Sequence, residues 1–256
     1  MLETAPEKFA RGQISLNGKR LLIVGATRGL GRAIATACSE AGASLVLVSR
    51  SAGDLQRIST DLSLQSSDIT SISCDVTDCD DFARKVAPLR KIDGLIYNAG
   101  INIPEPLAEV SESAFDKIFN LNVKAAFFAA QAVAPLMVSG GSITFMSSQM
   151  GHVGAANRTT YCASKHAIEG LSKALAIELG PKNVRVNTIA PTFIETDMTR
   201  PMFDDVEFRT SVISRIPLGR LGTPEEVASL AVVLASEGAS LITGTSLRAD
   251  GGWTAQ

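Results

Sequence analysis

The stretch RLLIVGATRGLG, residues 20–31, decides the fold of this chain. Its first five residues form a short apolar run, which indicates a strand that is buried on both faces. A glycine-rich turn from Gly25 to Gly31 follows and opens a helical pattern. Such a turn lets the backbone approach a pyrophosphate, and the helix N-terminus offers unpaired N–H groups and a positive dipole. The stretch predicts a strand, turn and helix that bind a dinucleotide, although its spacing, G-x-x-x-G-x-G, taken alone also suits a tight turn.

Outward from this stretch, short apolar runs alternate with longer helical patterns along nearly the whole chain. Seven runs are predicted strands: Arg20 to Val24, Ser44 to Val48, Ile69 to Cys74, Gly94 to Tyr97, Ser142 to Met146, Val184 to Thr188 and Ser246 to Ala249. Six segments are predicted helices: Gly29 to Glu40, Asp54 to Leu64, Asp78 to Ala87, Ser111 to Met137, Thr159 to Leu179 and Pro224 to Ala235. This alternation predicts an α/β fold, a doubly wound, mostly seven-stranded parallel sheet with helices on both faces, in a single domain.

Length, charge and cysteine content exclude several classes of protein. A domain of 256 residues buries enough surface to fold without a metal or a disulfide. The net charge is −2 and no run of Lys or Arg occurs, which argues against nucleic acid or an anionic membrane as a partner. The four cysteines form no Cys-x-x-Cys pair, so we expect reduced thiols and a cytoplasmic protein. Two histidines are too few for the usual metal cluster, and we expect no metal.

Two segments depart from the regular alternation. Residues 1–13 are polar, carry both charges and lack the apolar core of a secretory signal, so we predict a flexible N-terminal tail before a catalytic domain at 14–256. No stretch approaches the ~18 consecutive apolar residues that span a bilayer. The segment of about 191–217 is longer than an ordinary connection and follows a strand end, which predicts a substrate loop or lid. A surface segment that merely packs is the alternative.

The residues after the second strand bear on the choice between NAD and NADP. A carboxylate at this position accepts a hydrogen bond from the ribose 2′-hydroxyl and repels a 2′-phosphate. Here the strand ends in Ser49-Arg50, and no acid follows until Asp54. Arg28, in the glycine turn, can reach the same space, and two guanidinium groups near one phosphate form charge-assisted hydrogen bonds. The two arginines favour NADP, although an arginine in a surface turn is often only solvated.

Polar and small residues end the third and fourth strands. Asp75-Val76 follows the third strand, where Asp75 can accept a hydrogen bond from the adenine amino group. Asn98-Ala99-Gly100 follows the fourth strand and can keep the path of the cofactor open. Each motif has a structural alternative, because Asp75 can cap the following turn and Asn98 can satisfy backbone groups.

The segment Tyr161-Cys162-Ala163-Ser164-Lys165 places a phenol and an ammonium four residues apart, hence on one face of a helix. A free phenol has a pKa of about 10 and is a poor acid–base group at neutral pH. One cation at ~4 Å, with an effective dielectric constant of ~20, contributes on the order of 4 kcal/mol, or about 3 pKa units. We therefore expect Lys165 to lower the pKa of Tyr161 and to hold the ribose hydroxyl groups of the cofactor.

Two further side chains are candidates for the chemistry. Ser148, at the end of the predicted fifth strand, can donate a hydrogen bond to a substrate carbonyl oxygen and stabilise developing negative charge. Its neighbour Ser147 competes for this role. Asn122 lies in an apolar helical pattern, where a polar side chain needs a partner. It either holds a water that relays protons toward Lys165 or makes a hydrogen bond between helices.

Together these residues resemble the short-chain dehydrogenase/reductase family, over nearly the whole chain beyond the N-terminal tail. The matching motifs stand in the family's order and spacing: the glycine turn Gly25 to Gly31, Asp75-Val76, Asn98-Ala99-Gly100, Asn122, Ser148, Tyr161-x-x-x-Lys165 and Asp250-Gly251-Gly252. The resemblance implies a catalytic tetrad of Asn122, Ser148, Tyr161 and Lys165. It also implies NADP as cofactor, with contacts from Arg28 and Arg50, and a homotetramer.

One of the cofactor contacts departs from the family pattern. The predicted contacts are Gly25, Thr27, Arg28, Gly29, Leu30, Gly31, Ser49, Arg50, Asp75, Val76, Asn98, Ala99, Gly100, Tyr161, Lys165, Pro191, Thr192 and Thr196. The family commonly has Pro-Gly after the sixth strand, whereas this chain has Pro191-Thr192. A β-branched side chain therefore stands where glycine lets the backbone pass the nicotinamide.

The residues and the resemblance together predict reduction of a carbonyl group by NADPH, reversible to alcohol oxidation. The predicted substrate contacts are Ser148, Met150, His152 and Phe193, in a mostly apolar pocket that Met198, Met202 and Phe203 extend. We expect a ketone, sugar or polyol as substrate. The loop 138–141 carries no charge, whereas family reductases of acyl carrier protein substrates tend to be basic there, so a 3-oxoacyl thioester of acyl carrier protein or CoA is the alternative. A non-catalytic dinucleotide-binding regulator is the alternative from another class, and the intact tetrad argues against it.

The composition of two predicted helices gives separate support for a homotetramer. Val123 to Met137 and Tyr161 to Leu179 are apolar or small over more than one helical face. A helix that covers only its own sheet keeps a wider polar stripe. Burial against a partner subunit explains the excess of apolar residues, and a covering loop is the alternative.

Overall fold

The computed structural model describes residues 14–63, 68–138, 140–197 and 199–256. The predicted tail, 1–13, and Met198 of the predicted pocket lie outside these ranges. Seven strands form one parallel sheet in the order β3-β2-β1-β4-β5-β6-β7. They are β1 (Arg20–Val24), β2 (Ser44–Ser49), β3 (Ile69–Ser73), β4 (Gly94–Tyr97), β5 (Gly141–Met146), β6 (Val184–Pro191) and β7 (Ser246–Ala249). The predicted fold class is confirmed.

Helices cover both faces of the sheet. They are α1 (Gly29–Glu40), α2 (Ala52–Ser63), α3 (Cys79–Val86), α4 (Glu112–Phe119), α5 (Ala125–Val133), α6 (Thr159–Leu179), α7 (Val206–Ile213) and α8 (Pro224–Ala235). No helix in the described ranges is long and apolar enough to cross a membrane. Within the same ranges, no group of three or more His, Cys, Asp or Glu side chains is arranged to hold a metal ion.

Alternate residues of the central strands face opposite sides of the sheet. On β1, Leu21 and Ile23 belong to a core with α1, α2 and α8, whereas Leu22 and Val24 belong to a core with α3, α5 and α6. All four side chains are fully buried. The side chains of β1 therefore pack into two hydrophobic cores, one on each face of the sheet, as expected for a parallel strand covered on both faces.

The order of the strands reverses beside β1. β1 pairs with β2 on one side and with β4 on the other. The chain thus builds outward from β1 to β3 and then crosses back to β4. In open parallel sheets, ligands bind outside the carboxyl ends of the strands at such a reversal. The glycine turn after β1 and the segment after β4 both lie at this place.

The helix predicted from Ser111 to Met137 is not continuous. A π-helical turn at Asn120–Lys124 separates α4 from α5, and a 3₁₀ turn at Ala134–Leu136 follows α5. The π turn lets the side chain of Asn122 leave the regular helical surface and bond to a neighbouring loop. Pro135, which has no N–H, ends the regular hydrogen-bonding pattern. Insertions of this π type concentrate at functional sites.

The segment 191–217, predicted as a lid, contains elements of its own. A 3₁₀ turn spans Arg200–Phe203 and α7 follows it. Asp205 caps α7 by accepting hydrogen bonds from the N–H groups of Glu207 and Phe208.

An aromatic cluster holds this segment to the C-terminal end of the chain. Phe193 packs against the rings of Phe203, Phe208 and Trp253, with centroid distances of 5.9 to 6.0 Å. The end of the chain is fixed in turn by Asp250, whose carboxylate accepts hydrogen bonds from the N–H groups of Gly252 and Thr254. The segment therefore packs as part of the domain.

Candidate active site

The glycine turn is packed too closely to carry a side chain at Gly31. A Cβ there would lie 1.9 Å from the carbonyl oxygen of Gly25 and 2.6 Å from Nδ2 of Asn98. The same Nδ2 donates to that oxygen at 3.0 Å. Gly25 has a φ of +78°, which glycine adopts without strain. These contacts join the ends of β1 and β4 into one cradle.

The cradle fits the pyrophosphate of a dinucleotide. No side chain caps the N-terminus of α1 and no acid stands in its first turn, which leaves the first N–H groups for an anion. The side chain of Thr196 lies 3.8 Å from the position of a Cβ on Gly29, so the segment after β6 reaches the glycine turn. The glycine turn, the segment after β4 and the segment after β6 therefore meet at the N-terminus of α1.

Thr192 is accommodated at the end of β6. Its N–H donates to the carbonyl oxygen of Ala249 on β7 at 3.1 Å. Its Oγ1 is buried and has no hydrogen-bond partner within the described part of the chain. Buried hydroxyl groups are normally paired, so this oxygen fits a polar group that a ligand supplies.

The turns that carry Arg28 and Arg50 touch each other. Both arginines are exposed, and Thr27 Oγ1 lies 3.2 Å from Ser49 Oγ between them. The first acid after β2, Asp54, is bound by the guanidinium of Arg57. Hydrogen bonds from Arg57 and Ser51 lower the pKa of Asp54. Two cations therefore share one edge of the cradle, where the first carboxylate is already paired.

Asp75 caps the turn that follows β3. Its Oδ1 accepts from the N–H and the hydroxyl of Thr77 at 3.0 and 2.7 Å. Burial opposes ionisation of Asp75, but the hydrogen bonds from Thr77 and the charge of Arg50 outweigh it and lower the pKa. Val76 beside it is buried. Asp75 thus fills the capping role that the sequence offered as an alternative, on the same edge of the sheet as Arg50.

Tyr161, Lys165 and Ser148 come together at the carboxyl end of β5. Lys165 is 4% exposed, its Nζ donates to the carbonyl oxygen of Met146 at 2.7 Å, and it lies 5.5 Å from the centre of the Tyr161 ring. The Oγ of Ser148 accepts from the N–H of Met150 at 3.2 Å. This contact uses Ser148 Oγ only as an acceptor, so its hydroxyl hydrogen can point to Tyr161 or to a substrate.

The protonation equilibria differ from the expectation. Burial raises the pKa of Tyr161 to about 12, against the lowering effects of the Ser148 hydroxyl and the charge of Arg158. Burial also lowers the pKa of Lys165 to about 8, against the attraction of the Glu169 carboxylate. The expectation that Lys165 lowers the pKa of Tyr161 is wrong for the protein alone, because loss of hydration outweighs the neighbouring charges.

Asn122 is fully engaged by neighbouring groups. Its Oδ1 accepts from the N–H of Ile101, and its Nδ2 donates to the carbonyl oxygen of Ile101, both at 2.9 Å. The same Nδ2 donates to Ser164 Oγ on α6 at 3.1 Å. Both Asn122 Oδ1 and Lys165 Nζ lie within 3.6 Å of where a Cβ on Gly100 would stand. Asn122 therefore ties the loop after β4 to α6 beside Lys165, which matches the hydrogen-bonding alternative.

Comparison with known proteins assigns this arrangement to a family. A family model described as Enoyl-(Acyl carrier protein) reductase matches residues 25–254. D-erythrulose reductase of Gallus gallus is 34% identical over 243 residues, which cover 94% of this chain and 97% of that protein. The chain belongs to the short-chain dehydrogenase/reductase family. It is therefore an NAD(P)-dependent oxidoreductase that acts on alcohol and carbonyl groups.

Other members of the family share its full length. The 3-oxoacyl-[acyl-carrier-protein] reductase FabG of Thermotoga maritima is 37% identical over 248 residues, covering 93% of this chain and 98% of the relative. A crystal structure from Beutenbergia cavernae, described provisionally as an NAD(P)-dependent gluconate 5-dehydrogenase and holding NADP at low occupancy, superposes with a TM-score of 0.91. That protein is 33% identical, with 95% of this chain and 100% of its own covered.

The residues predicted to contact the substrate lie on the segments after β5 and after β6. Ser148 and Met150 are buried there, and Phe193 lies half-buried in the aromatic cluster. Ser147 is 3% exposed, and its Oγ lies 2.8 Å from where a Cβ on Gly151 would stand. Ser147 thus packs within the segment, whereas Ser148 keeps its place beside Tyr161.

His152 takes part in a buried network that the sequence did not reveal. Its Nε2 lies 2.9 Å from Ser246 Oγ and 3.3 Å from Glu169 Oε1. Glu169, 6% exposed, also accepts hydrogen bonds from Thr188 and Ser246 at 2.9 to 3.1 Å. The available signal was a carboxylate four residues after Lys165 on one helix, hence on the same face. Glu169 thus supplies negative charge beneath the lysine, which favours its protonated form.

Proposed function

We propose that this protein is an NADPH-dependent carbonyl reductase, reversible to an alcohol dehydrogenase, that acts on a ketone, sugar or polyol. The observation that carries the proposal is the convergence of Ser148, Tyr161 and Lys165 at the end of β5, next to the glycine cradle. Bound NADPH supplies the hydride in such a reaction. The protein supplies the proton, the hydrogen bond to the carbonyl oxygen and the position of both reactants.

The role of each side chain follows from its contacts. Ser148 donates to the carbonyl oxygen and stabilises the negative charge that develops on it. Tyr161 gives its phenolic proton to the same oxygen as a general acid. Lys165 faces the Tyr161 ring and, as an ammonium, stabilises the phenolate that remains. Asn122 fixes the loop after β4 and the first turns of α6, so it is a positioning residue.

The pKa of Tyr161 favours the reductive direction. With a pKa raised to about 12, the phenol is protonated at neutral pH and ready to donate. Lys165, with a pKa lowered to about 8, is still mostly an ammonium at neutral pH. Both groups therefore stand in the protonation state that carbonyl reduction requires.

Charge at the end of β2 supports NADPH over NADH. Arg28 and Arg50 offer two guanidinium groups in adjoining turns, and the nearest acid, Asp54, is paired with Arg57. A 2′-phosphate gains charge-assisted hydrogen bonds in this place and meets no free carboxylate. The NADP held by the Beutenbergia cavernae relative is consistent with this preference.

The relatives support two substrate classes. A keto sugar or polyol is favoured by the similarity to D-erythrulose reductase over nearly the full length of both chains. A 3-oxoacyl thioester is the second candidate, because FabG of Thermotoga maritima is 37% identical over 248 residues. We further propose that 191–217 acts as a substrate lid, and that the protein is a cytoplasmic homotetramer in which 1–13 forms a flexible tail.

Initial rates of NADPH and NADH oxidation over a panel of ketones, ketoses and 3-oxoacyl thioesters test the proposal. We expect turnover with NADPH preferred over NADH. The double variant Arg28→Gln/Arg50→Gln should lower the ratio of kcat/KM for NADPH to that for NADH by at least about tenfold, because charge-assisted bonds to the 2′-phosphate are lost. The matched control Arg84→Gln, on the exposed surface of α3, should keep the ratio of the wild type. Turnover that prefers NADH in the wild type would refute the cofactor argument, and binding of NADPH without turnover of any substrate would refute the reductase.

A further inference from the structure

Arg158 is a cation beside Tyr161 that no carboxylate of the described residues neutralises. It immediately precedes α6 and stands three residues before Tyr161. Its Nη1 is buried and has no hydrogen-bond partner among the residues that the structure describes. Buried guanidinium nitrogens are nearly always paired, because an unpaired buried donor loses its hydration without compensation. A group that bonds to Arg158 is therefore expected from outside the chain.

No carboxylate of the described residues fills this place. Their ion pairs do not include Arg158. Glu105 touches the same segment through its backbone, whose N–H donates to the carbonyl oxygen of Asn157 at 3.0 Å, but its carboxylate is not within 4 Å of the guanidinium. Glu169 is occupied by Thr188, Ser246 and His152. The positive charge of Arg158 is thus not compensated by a carboxylate of the described residues.

The charge acts at the reacting end of the site. The guanidinium is close enough to Tyr161 to favour the ionised phenol, so it lies near the atom that gives up its proton. A substrate whose carbonyl oxygen meets Ser148 and Tyr161 therefore binds near the positive charge of Arg158. Glu195 and Asp197, acids of the segment after β6, are paired with Arg200.

We propose that Arg158 binds a carboxylate group of the substrate, so that the natural substrates are oxo acids, such as keto sugar acids, rather than neutral ketones. This inference rests on the proposed carbonyl reductase and names its substrate class. A carboxylate matches the planar guanidinium and can accept two hydrogen bonds from it. A single guanidinium suits a monoanion better than a phosphate dianion.

The carboxylate takes no part in the redox step. The carbonyl carbon gains a hydride from NADPH, the carbonyl oxygen gains a proton from Tyr161, and a hydroxy acid and NADP⁺ are the products. The electrons lost by NADPH are those gained by the carbonyl group. Arg158 contributes affinity and orientation, because the anion fixes one end of the substrate while Ser148 holds the other.

Matched pairs of ketones that differ only in a carboxylate test the proposal. We would measure kcat/KM with NADPH near pH 7 for 5-keto-D-gluconate against L-sorbose, and for levulinate against 5-hydroxy-2-pentanone. The wild type should prefer the acid of at least one pair. Arg158→Met should lower the ratio of acid to neutral ketone by about 10- to 150-fold, the range for a hydrogen-bonded charged group. Arg158→Lys should restore part of the ratio, and the surface control Arg84→Met should leave it unchanged.

Ligand binding decides the matter independently of turnover. With NADP⁺ present, calorimetry should show D-gluconate binding more tightly than D-glucitol to the wild type, and Arg158→Met should remove the difference. If the ratios and the binding are the same in wild type and Arg158→Met, or if a phosphorylated ketose is preferred over both acids, the inference is overturned while the reductase stands. If gluconate binding depends on Arg158 but no ketone is reduced, the anion site stands and the proposed function fails.

Discussion

Burial and a neighbouring charge act in opposite directions on the pKa of Lys165, since burial lowers it and the Glu169 carboxylate raises it. The folded protein lowers its pKa to about 8, whereas a lysine in the unfolded chain titrates near 10.5. Between these values the unfolded state binds more protons than the folded state, so the free energy of unfolding rises with pH. The contribution of Lys165 to the free energy of unfolding is smallest below pH 8 and largest above pH 10.5.

This linkage predicts a pH-dependent difference between the wild type and Lys165→Met. From pH 7 to 9.5, the free energy of unfolding of the wild type should rise by about 2 kcal/mol relative to the variant. Urea unfolding at several pH values measures the difference. Lys117→Met, at an exposed position of α4, is the matched control and should show no such trend. Parallel curves for the wild type and Lys165→Met would contradict the burial argument.

At the scale of single residues, the sequence predicted identities and spacing but not environments. Tyr161 and Lys165 are four residues apart on a helix, so their shared face followed from periodicity. The direction of the Tyr161 pKa did not follow, because it depends on how much water the folded chain removes from the phenol. Glu169 and Arg158 were missed for the same reason, since their importance comes from neighbours that are distant in sequence.

At the scale of elements, the close packing of the glycine turn gives a sharp prediction. In Gly31→Ala the new Cβ would overlap the carbonyl oxygen of Gly25, and β1, β4 or α1 must shift. Overpacking of this kind typically costs about 1–3 kcal/mol of unfolding free energy. NADPH affinity should fall as well, because the cradle is distorted. Urea unfolding and a fluorescence titration with NADPH measure the two effects.

Gly53→Ala is the matched control for this prediction. A Cβ on Gly53, in the first turn of α2, meets no atom within 4 Å. Alanine in a helix is favoured over glycine, so this variant should gain about 0.5–1 kcal/mol and bind NADPH as the wild type does. Equal stabilities of the two variants would contradict the account of the turn.

Helices and strands were predicted well where the hydrophobic periodicity agreed with the residues that typically start or end such elements. The bounds of β1, β4, β7, α1, α6 and α8 match the predictions at both ends. The π turn at Asn120–Lys124 was not predicted, because its cause is the tertiary bond from Asn122 to Ile101. The helix α7 was also missed, although Asp205 followed by Glu207 resembles the start of a helix.

At the scale of the whole molecule, apolar side chains remain on the outer faces of α4, α5 and α6. Phe115, Phe127 and Phe128 are 36 to 43% exposed, and Ile177 is 81% exposed. The rings of Phe127 and Phe128 contact each other, with centroids 5.3 Å apart, and exposed apolar patches are typical of surfaces that other subunits cover. This pattern supports the proposed tetramer.

Phe127→Asp should therefore weaken the assembly. Burial of the introduced carboxylate against a partner subunit is unfavourable, so sedimentation should show a smaller species than the wild type at the same concentration. Val206→Asp, at an apolar residue that is 73% exposed at the start of α7, is the control and should leave the mass unchanged. A monomeric wild type would contradict the tetramer directly.

The topology of the sheet was predictable because it rests on local alternation and a general rule of handedness. The position of the cradle followed as well, since the glycine turn comes directly after β1. How the segment 191–217 packs did not follow, because the aromatic contacts from Phe193 to Trp253 join residues far apart in sequence. The proposed contact between Arg158 and a substrate carboxylate did not follow from the sequence either, because it rests on the burial of the Arg158 side chain in the folded chain.

The most direct test of the central claim compares the two tyrosines of the chain. We would measure NADPH oxidation with a ketone substrate in Tyr161→Phe and in Tyr97→Phe, whose hydroxyl only bonds to the carbonyl oxygen of Leu121 within the fold. Because Tyr161 is the proposed proton donor, its variant should lose about 10²- to 10⁴-fold in kcat while NADPH still binds. Tyr97→Phe should stay within about tenfold of the wild type, since it keeps the general acid. Turnover by Tyr161→Phe close to that of the wild type would contradict the account.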